Sequence, residues 1–216
     1  MELWSMWTQF LQGSLNFLTV HLGFSEAVSI IALTIAARVV MMPISLTAAY
    51  RAQKNKEALD RIKPELDDLR KKFKENPSEL AARTMALHRE NGIKFFDKVS
   101  ILNIGSQGIF GIGVFQCLKR AMFNSKFLWV STLSKPDFVI TLLVGALMLL
   151  GSALMPGATA NTSMIVMLVV SVLVSVFFIA ALPSAIGVYW ATSNAVTVIQ
   201  TLVLRSLLAK QTPMAA

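Results

Sequence analysis

Arg38 is the residue of this sequence with the most unusual setting, because it stands within the apolar stretch from Ile30 to Leu46, IIALTIAARVVMMPISL. A guanidinium near the centre of a bilayer costs about 2.5–3.5 kcal/mol on insertion scales. Among the acidic residues, only Glu26 belongs to an apolar stretch, and it lies roughly 18 Å away along the same helix. Arg38 therefore needs neutral polar groups and water around it within the membrane.

Polar groups at helical spacing are the candidates to surround this arginine in a water-filled cavity. Thr34 lies one turn before Arg38, and the carbonyl of Val39 is freed because Pro43 has no N–H group. Later apolar stretches contribute Asn103 and Gln107, and then Asn194, Thr197 and Thr201. The alternative is a structural arginine bound to backbone carbonyls, with no transport role.

Catalysis finds little support in the sequence. His21 and His88 lie far apart in the chain, and we find no phosphate-binding glycine loop, no metal-ligand spacing and no nucleophile with a base beside it. The single cysteine, Cys117, falls in an apolar stretch and is interpreted as a small core residue. We expect no enzyme, no cofactor and no metal site.

The composition predicts the elements that position these residues. The chain is 55% hydrophobic and 15% charged, with a mean hydropathy of +0.61, which indicates an all-α integral membrane protein. Five apolar stretches predict five transmembrane helices around a hydrophilic groove: 25–46, 99–118, 138–155, 164–182 and 184–204. Only Pro183 separates the last two, so a single bent element is the alternative there. In domain terms, 24–50 is the first transmembrane helix, 99–208 holds the other four, and 209–216 is a cytoplasmic tail.

The amino-terminal residues 1–23 predict an amphipathic helix. Apolar side chains three or four residues apart form one stripe, which includes Trp4, Trp7 and Leu11. We expect this helix to lie in the membrane interface and the next helix to begin at an N-capping Ser25. Packing of the helix on the other spans is the alternative.

Residues 51–98 are the most charged segment, with 13 basic and nine acidic residues. A heptad seam that includes Leu59, Ile62 and Phe73 predicts one helical arm, with a kink at Pro64. The run Asn76-Pro77-Ser78-Glu79 predicts a capping box that opens a second arm. The result is a helical hairpin whose surface is either simply solvated or in contact with lipid headgroups, the ribosome or targeting factors.

The basic residues predict the orientation. Segment 51–98 and the carboxyl-terminal tail share one side of a five-span protein and hold most of the lysines and arginines, so this side is predicted to be cytoplasmic. The amino terminus is then outside. The acidic start MELWSMW lacks the pattern of a cleavable signal peptide. The glycines of GSQGIFGIG, at 105–113, predict close helix packing.

Three stretches resemble the YidC family of membrane protein insertases, which has Oxa-type relatives in mitochondria. The first is RVVMMPISLTAAYRAQKNKEALDRIKPELDDLRKKFKENPSELAARTMALHRENGI, the second FLWVSTLSKPD and the third LPSAIGVYWATSNAVTVIQTLVLR. The resemblance implies a five-helix core around a groove that is open to the cytoplasm and to lipid. It further implies that Arg38 and Thr34, with Tyr189 and Trp190 of the last helix, line or touch the path of a substrate. The second span departs from the family pattern, with Gly108 near a usual proline site.

The resemblance implies an insertase and chaperone of the bacterial cytoplasmic (inner) membrane, which inserts nascent membrane proteins without a chemical step. Its partners would be client proteins and the lipid bilayer, together with the ribosome, the signal recognition particle or the Sec translocon, and no direct reading of nucleic acid is expected. Two alternatives stay open. One is a small anion channel or uniporter in which Arg38 is a selectivity charge. The other is a degenerate insertase paralogue that acts as a membrane assembly factor.

Overall fold

The computed structural model describes residues 2–94, 97–121, 123–156 and 162–211, most of which are helical. The helices are α1 (Glu2–Val20), α2 (Glu26–Lys72), α3 (Pro77–Glu90), α4 (Lys98–Arg120), α5 (Phe138–Ala153), α6 (Thr162–Ile179) and α7 (Ser184–Gln211). Within these ranges the only β pairing is an isolated bridge between Phe127 and Val130. The predicted all-α class is confirmed.

The chain divides into two compact units. The first comprises Met1–Met42 with Ser106–Ala216, and the second comprises Pro43–Gly105. The core of the first unit is a cluster of apolar side chains from α1, α2, α4, α5, α6 and α7 and from the loop before α5. Among its most deeply buried members are Leu11, Ile30, Leu118, Leu133 and Ile186.

Helix starts follow the capping residues of the sequence. The side chain of Asn76 accepts a hydrogen bond from the Glu79 backbone N–H at 3.2 Å, with Pro77 in the first turn, which confirms the predicted N-cap. The reciprocal half of the capping box is absent at this residue, because the Asn76 backbone N–H donates to the Phe73 carbonyl at 3.0 Å. The Ser25 hydroxyl accepts from Val28 N–H at 3.4 Å, as predicted for the start of α2. Asp137 caps α5 in the same way through the Ile140 N–H, at 2.8 Å.

Helix α2 is longer than the predicted first span. It runs without interruption for 47 residues and passes through Pro43 and Pro64. The boundary expected near residue 50, between a transmembrane helix and the hairpin, is therefore a change of composition within one helix.

The sixth and seventh helices are separate elements. Helix α6 ends at Ile179, and α7 begins at Ser184, directly after Pro183. The Ser184 and Ala185 backbone N–H groups donate to the carbonyls of Lys135 and Leu133, at 2.9 and 3.0 Å. The loop before α5 thus satisfies the free donors at the start of α7, and the alternative of a single bent helix is wrong.

Three helices in the described part of the chain are long and apolar enough to cross a membrane, namely α2, α4 and α6. Helix α5 is apolar but has only 16 residues, and α7 has 28 residues with many polar side chains. The side chains of α6 are largely exposed, including Met167 and Phe177, as expected for a helix that faces lipid. The count of five spans stays a prediction.

Close helix contacts occur at particular glycines of the first unit. A Cβ atom at Gly113 would lie 2.6 Å from Trp7 Nε1, so α1 rests directly on the backbone of α4. A Cβ at Gly187 would lie 2.5 Å from Ile140 Cγ2, which marks the crossing of α7 and α5. The predicted close packing in α4 is confirmed at Gly113, whereas a Cβ at Gly108 would meet nothing within 4 Å.

Polar contacts of Asp97 join the start of α4 to α2 within the second unit. Arg51 Nη1 and Asp97 Oδ1 form an ion pair at 3.0 Å. Asp97 also accepts hydrogen bonds from the Val99 N–H at 2.7 Å and from the Ser100 hydroxyl at 2.9 Å, and so caps the start of α4. Along the heptad seam, Ile62 is buried.

Candidate functional site

Arg38 lies on α2 and is half-buried in the first unit. Its guanidinium binds two neutral side chains from two other helices. Nη1 donates to Gln107 Oε1 of α4 at 2.8 Å, and Nε donates to Ser193 Oγ of α7 at 2.9 Å. Nη2 donates to the same Ser193 oxygen. The arginine therefore ties α2 to α4 and α7 at one point.

The charge of Arg38 has no counter-ion in the described part of the chain. The ion pairs found among those residues all join side chains of the hairpin segment, residues 51–98. A guanidinium has five N–H donors, and the hydrogen bonds to Gln107 and Ser193 use three of them. Two donors have no acceptor among the described side chains and backbone, so the site keeps the capacity to bind a further acceptor.

Tyr189 lies one turn before Ser193 on α7 and closes one side of this site. Its ring packs against Phe110 of α4 with the centroids 6.3 Å apart, and the residue is buried. A Cβ atom at Gly111 would lie 3.3 Å from the Tyr189 hydroxyl oxygen. The missing side chain at Gly111 thus lets the phenol lie against the backbone of α4.

Several of the predicted site residues direct their polar groups to their own helix. The Thr34 hydroxyl is buried and donates to the Ile30 carbonyl at 2.7 Å. On α7, the Asn194 amide donates to the Trp190 carbonyl at 2.8 Å, and the Thr197 hydroxyl donates to the Ser193 carbonyl at 3.0 Å. These bonds satisfy the polar groups locally, so none of the three is a hydrogen-bond partner of Arg38.

The two remaining predicted residues are Trp190 and Asn103. Trp190 is half-buried and packs against the apolar core of the first unit. Asn103 belongs to the second unit, and its place beside Arg38 stays a prediction. The roles of all these residues toward a substrate likewise stay predictions.

Ser193 is the contact that the sequence analysis missed. The predicted face of α7 joins Trp190, Asn194 and Thr197, whereas the face that meets Arg38 joins Tyr189 and Ser193. The two faces differ by one residue, about 100° around the helix. The sequence feature that indicates this face is the spacing of Tyr189 and Ser193, which are four residues apart and therefore one helical turn from each other.

The fold and the site define an all-α membrane protein with a charged group held between three helices. The family described as 60Kd inner membrane protein matches residues 17–211, so the chain belongs to that family, which is the YidC/Oxa-type family that its sequence resembles.

Among its bacterial relatives are three that are each named membrane protein insertase YidC. The chain is 28% identical over 189 residues to that of Helicobacter pylori, 83% of this chain and 33% of the relative. It is 26% identical over 191 residues to that of Clostridium tetani, 86% of this chain and 84% of the relative. It is 27% identical over 202 residues to that of Fusobacterium nucleatum, 92% and 94% respectively. The chain thus spans a third of the first relative and most of the other two, and these relatives indicate a bacterial inner-membrane protein.

Proposed function

We propose that this protein is a membrane protein insertase, which helps polar segments of nascent membrane proteins to cross the apolar part of a bilayer. The observation that carries the proposal is the half-buried Arg38, whose partners Gln107 and Ser193 are neutral. Family membership and the names of the relatives support the same function.

The mechanism needs no chemical step. A polar or acidic client segment enters a hydrated groove beside Arg38, where the two remaining N–H donors bind its carboxylate or carbonyl oxygens. The attraction is stronger there than in water because the surroundings have a low dielectric constant, and it offsets part of the cost of desolvating the segment. The apolar helix of the client then leaves into lipid.

Residues around Arg38 set the polarity of this path. Gln107 and Ser193 hold the guanidinium in place without neutralising it, and Tyr189 and Trp190 supply aromatic surface on α7. We propose that the helices that line the path carry four further predicted residues, Thr34, Asn103, Asn194 and Thr197. Asn194 and Thr197 are half-buried and compatible with a hydrated wall, whereas Thr34 is buried and contributes to the path through the helix that carries it.

The hairpin segment is proposed to face the cytoplasm, with the carboxyl terminus on the same side and the amino terminus outside. Its 13 basic and nine acidic residues give it a net charge of +4, and they dominate its surface. The charge excess fits contact with anionic lipid headgroups, and with the ribosome, signal recognition particle or Sec translocon as partners.

A reconstitution experiment tests the function and separates it from the anion channel. Vesicles that contain the protein are given a single-spanning client whose translocated tail is either acidic or neutral, and insertion is measured by protease protection. For Arg38→Ala we expect insertion of the acidic client to fall about tenfold, the effect of 1.4 kcal/mol, while the neutral client loses much less. Arg205→Ala, at an exposed position of α7, is the matched control and is expected to leave both clients unaffected.

Two outcomes would contradict the proposal. Equal losses for the acidic and neutral clients would remove the electrostatic role of Arg38. Anion flux through the same vesicles, without client insertion, would assign Arg38 to a channel instead.

A further inference from the structure

An open polar cleft runs along one side of α1. It has a volume of about 510 Å³, and Glu26 of α2 and Cys117 of α4 form its far wall. The polar side chains that α1 contributes are Gln9, Gln12, Asn16 and Thr19. Glu26 is the one charged side chain among the described residues that line it. The cleft offers amide donors together with a single negative charge.

A second, apolar cleft runs along the other side of α1. It has a volume of about 600 Å³, and its walls are formed by Phe10, Ser14, Phe17 and Leu18 of α1 and by Ala32, Leu33 and Ala36 of α2. Gly13 lines both clefts. Gly13 is exposed, and a Cβ atom there would meet nothing within 4 Å, so a ligand can pass over α1 at this point from one cleft to the other.

The depth of the two clefts matches the dimensions of one lipid molecule. Glu26 is the first residue of α2, and the apolar cleft begins six residues further along that helix and reaches Ala36, ten residues along. At 1.5 Å per residue, the apolar cleft lies about 9–15 Å deeper than the carboxylate. The headgroup region of one leaflet is about 5–7 Å thick, so a headgroup beside Glu26 places the acyl chains at the level of the apolar cleft.

The charge of the polar cleft selects the headgroup. Glu26 Oε2 is held by the Ser125 N–H at 3.0 Å and by the Ser125 hydroxyl at 2.6 Å, which fixes the carboxylate at the cleft wall. A fixed carboxylate favours a cationic ammonium and disfavours an anionic headgroup. The amides of Gln9, Gln12 and Asn16 are donors suited to the phosphate that follows the ammonium in such a lipid.

We infer that the two clefts beside α1 bind one phospholipid with an ammonium headgroup, the ammonium at Glu26 and an acyl chain between α1 and α2. The lipid passes over Gly13, and its headgroup fills the polar cleft. This inference concerns a resident bilayer lipid and does not depend on the proposed insertase function.

Native mass spectrometry in mild detergent tests the site. The purified protein is mixed with equal amounts of phosphatidylethanolamine and phosphatidylglycerol that carry the same acyl chains. We expect one retained phosphatidylethanolamine, preferred about fivefold, which corresponds to an ion pair of about 1 kcal/mol. For Glu26→Gln we expect a retained lipid without headgroup preference. For Gly13→Leu we expect loss of the retained lipid, because the new side chain blocks the passage between the clefts.

Two further variants separate loss of the lipid site from a folding defect. Ala36→Leu fills the apolar cleft from α2 and is expected to reduce retention as Gly13→Leu does, which guards against a folding defect at either position. Ser171→Leu, at an exposed position of α6, is the control and is expected to retain the lipid. Equal retention of the two lipids by the unaltered protein would overturn the inference. Full retention by both Gly13→Leu and Ala36→Leu would overturn it as well.

Discussion

At the scale of single residues, the site is organised by the donors of Arg38. Three donors go to two neutral acceptors, Gln107 and Ser193, and these are 69 and 155 residues away in the chain. A charged donor that binds neutral acceptors gains hydrogen bonds without losing its charge. The arrangement therefore holds the guanidinium in a defined position and keeps its attraction for an acidic group.

The contribution of Ser193 is testable by removing its hydroxyl. Ser193→Ala leaves two N–H groups of Arg38 without their acceptor, and we expect the free energy of unfolding to fall by about 1.5–3 kcal/mol, the range for hydrogen bonds to charged groups. Unfolding in mixed detergent, followed by circular dichroism, measures the change. Ser171→Ala is the control, since that hydroxyl only donates to the Met167 carbonyl on an exposed face.

A double variant distinguishes the hydrogen bond from a packing effect. If Ser193 acts through Arg38, the loss caused by Ser193→Ala should largely vanish when Arg38 is already Ala. An undiminished loss in the Arg38→Ala background would show that Ser193 stabilises α7 in another way.

The sequence brought Arg38 and Gln107 together as candidates, and the structure joins them by a hydrogen bond, whereas the contact with Ser193 was missed. Arg38 was identified because a charge in an apolar stretch is costly, and Gln107 because an amide in the next span can offset that cost. Ser193 was missed because the direction of a helix face depends on how α7 packs against α5, where Gly187 and Ile140 touch. Sequence spacing gives the period of a helix but not its rotation about its own axis.

At the scale of helices, starts were easier to predict than ends. Asn76 and Ser25 identify where α3 and α2 begin, because capping depends on residues within one turn. The continuity of α2 from the first span into the first arm of the hairpin was not predicted, since the change from apolar to charged residues near 50 does not interrupt the helix. A helix continues wherever backbone geometry allows, whether its surroundings are lipid or water.

For two glycines of α4, we predict opposite effects of an alanine substitution on the free energy of unfolding. Gly113→Ala forces a Cβ atom into the space of Trp7 and Leu11, and we expect the free energy of unfolding to fall by about 1–3 kcal/mol. Gly108→Ala meets open space and is expected to stabilise α4 by about 0.4–1 kcal/mol, because it reduces the freedom of the unfolded chain. The unfolding experiment described above measures both variants.

The informative result is which of the two alanine variants has the lower free energy of unfolding. If Gly113→Ala were as stable as Gly108→Ala, α1 would not rest on α4 through this glycine. Intrinsic fluorescence, measured in a background where Trp7 is the single tryptophan of the four kept, offers an independent readout, since displacement of α1 from α4 changes the surroundings of its indole ring.

At the scale of the whole molecule, charge is divided unevenly between the two units. The second unit, Pro43–Gly105, contains most of the charged residues. The ion pairs among the described residues also belong to this unit. The first unit depends on apolar packing and on neutral hydrogen bonds such as those of Arg38. A change of pH should therefore act mainly on the second unit.

Asp97 makes this expectation specific. Partial desolvation raises the pKa of its carboxyl group, but the hydrogen bonds from Val99 and Ser100 and the charge of Arg51 outweigh it, so the pKa lies below its ordinary value. A carboxyl group with a lowered pKa stabilises the folded state above its unfolded pKa, about 3.9 for Asp. That stabilisation is lost as the pH falls through the lower pKa of the folded state.

Amide exchange measures the loss. We expect the protection of residues 98–101, at the start of α4, to decrease as the pH falls below about 3.9, while amides in the core of the first unit stay protected. Asp97→Asn should show the lower protection at all pH values and little pH dependence. The same pH dependence in Asp97→Asn would assign the effect to another group.

The separation of Arg38 from its acceptors has a consequence for how the protein is made. Gln107 is synthesised 69 residues after Arg38, and Ser193 is synthesised 155 residues after it. At ribosomal rates of about 5–20 residues per second, Ser193 follows roughly 8–30 s later. In the first part of that interval the newly made α2 carries a guanidinium for which neither permanent acceptor exists, and until its end Ser193 is still missing. Biogenesis of this chain thus meets the same physical problem that we propose the finished protein solves for its clients, and during those seconds water, headgroups or another protein must solvate the charge.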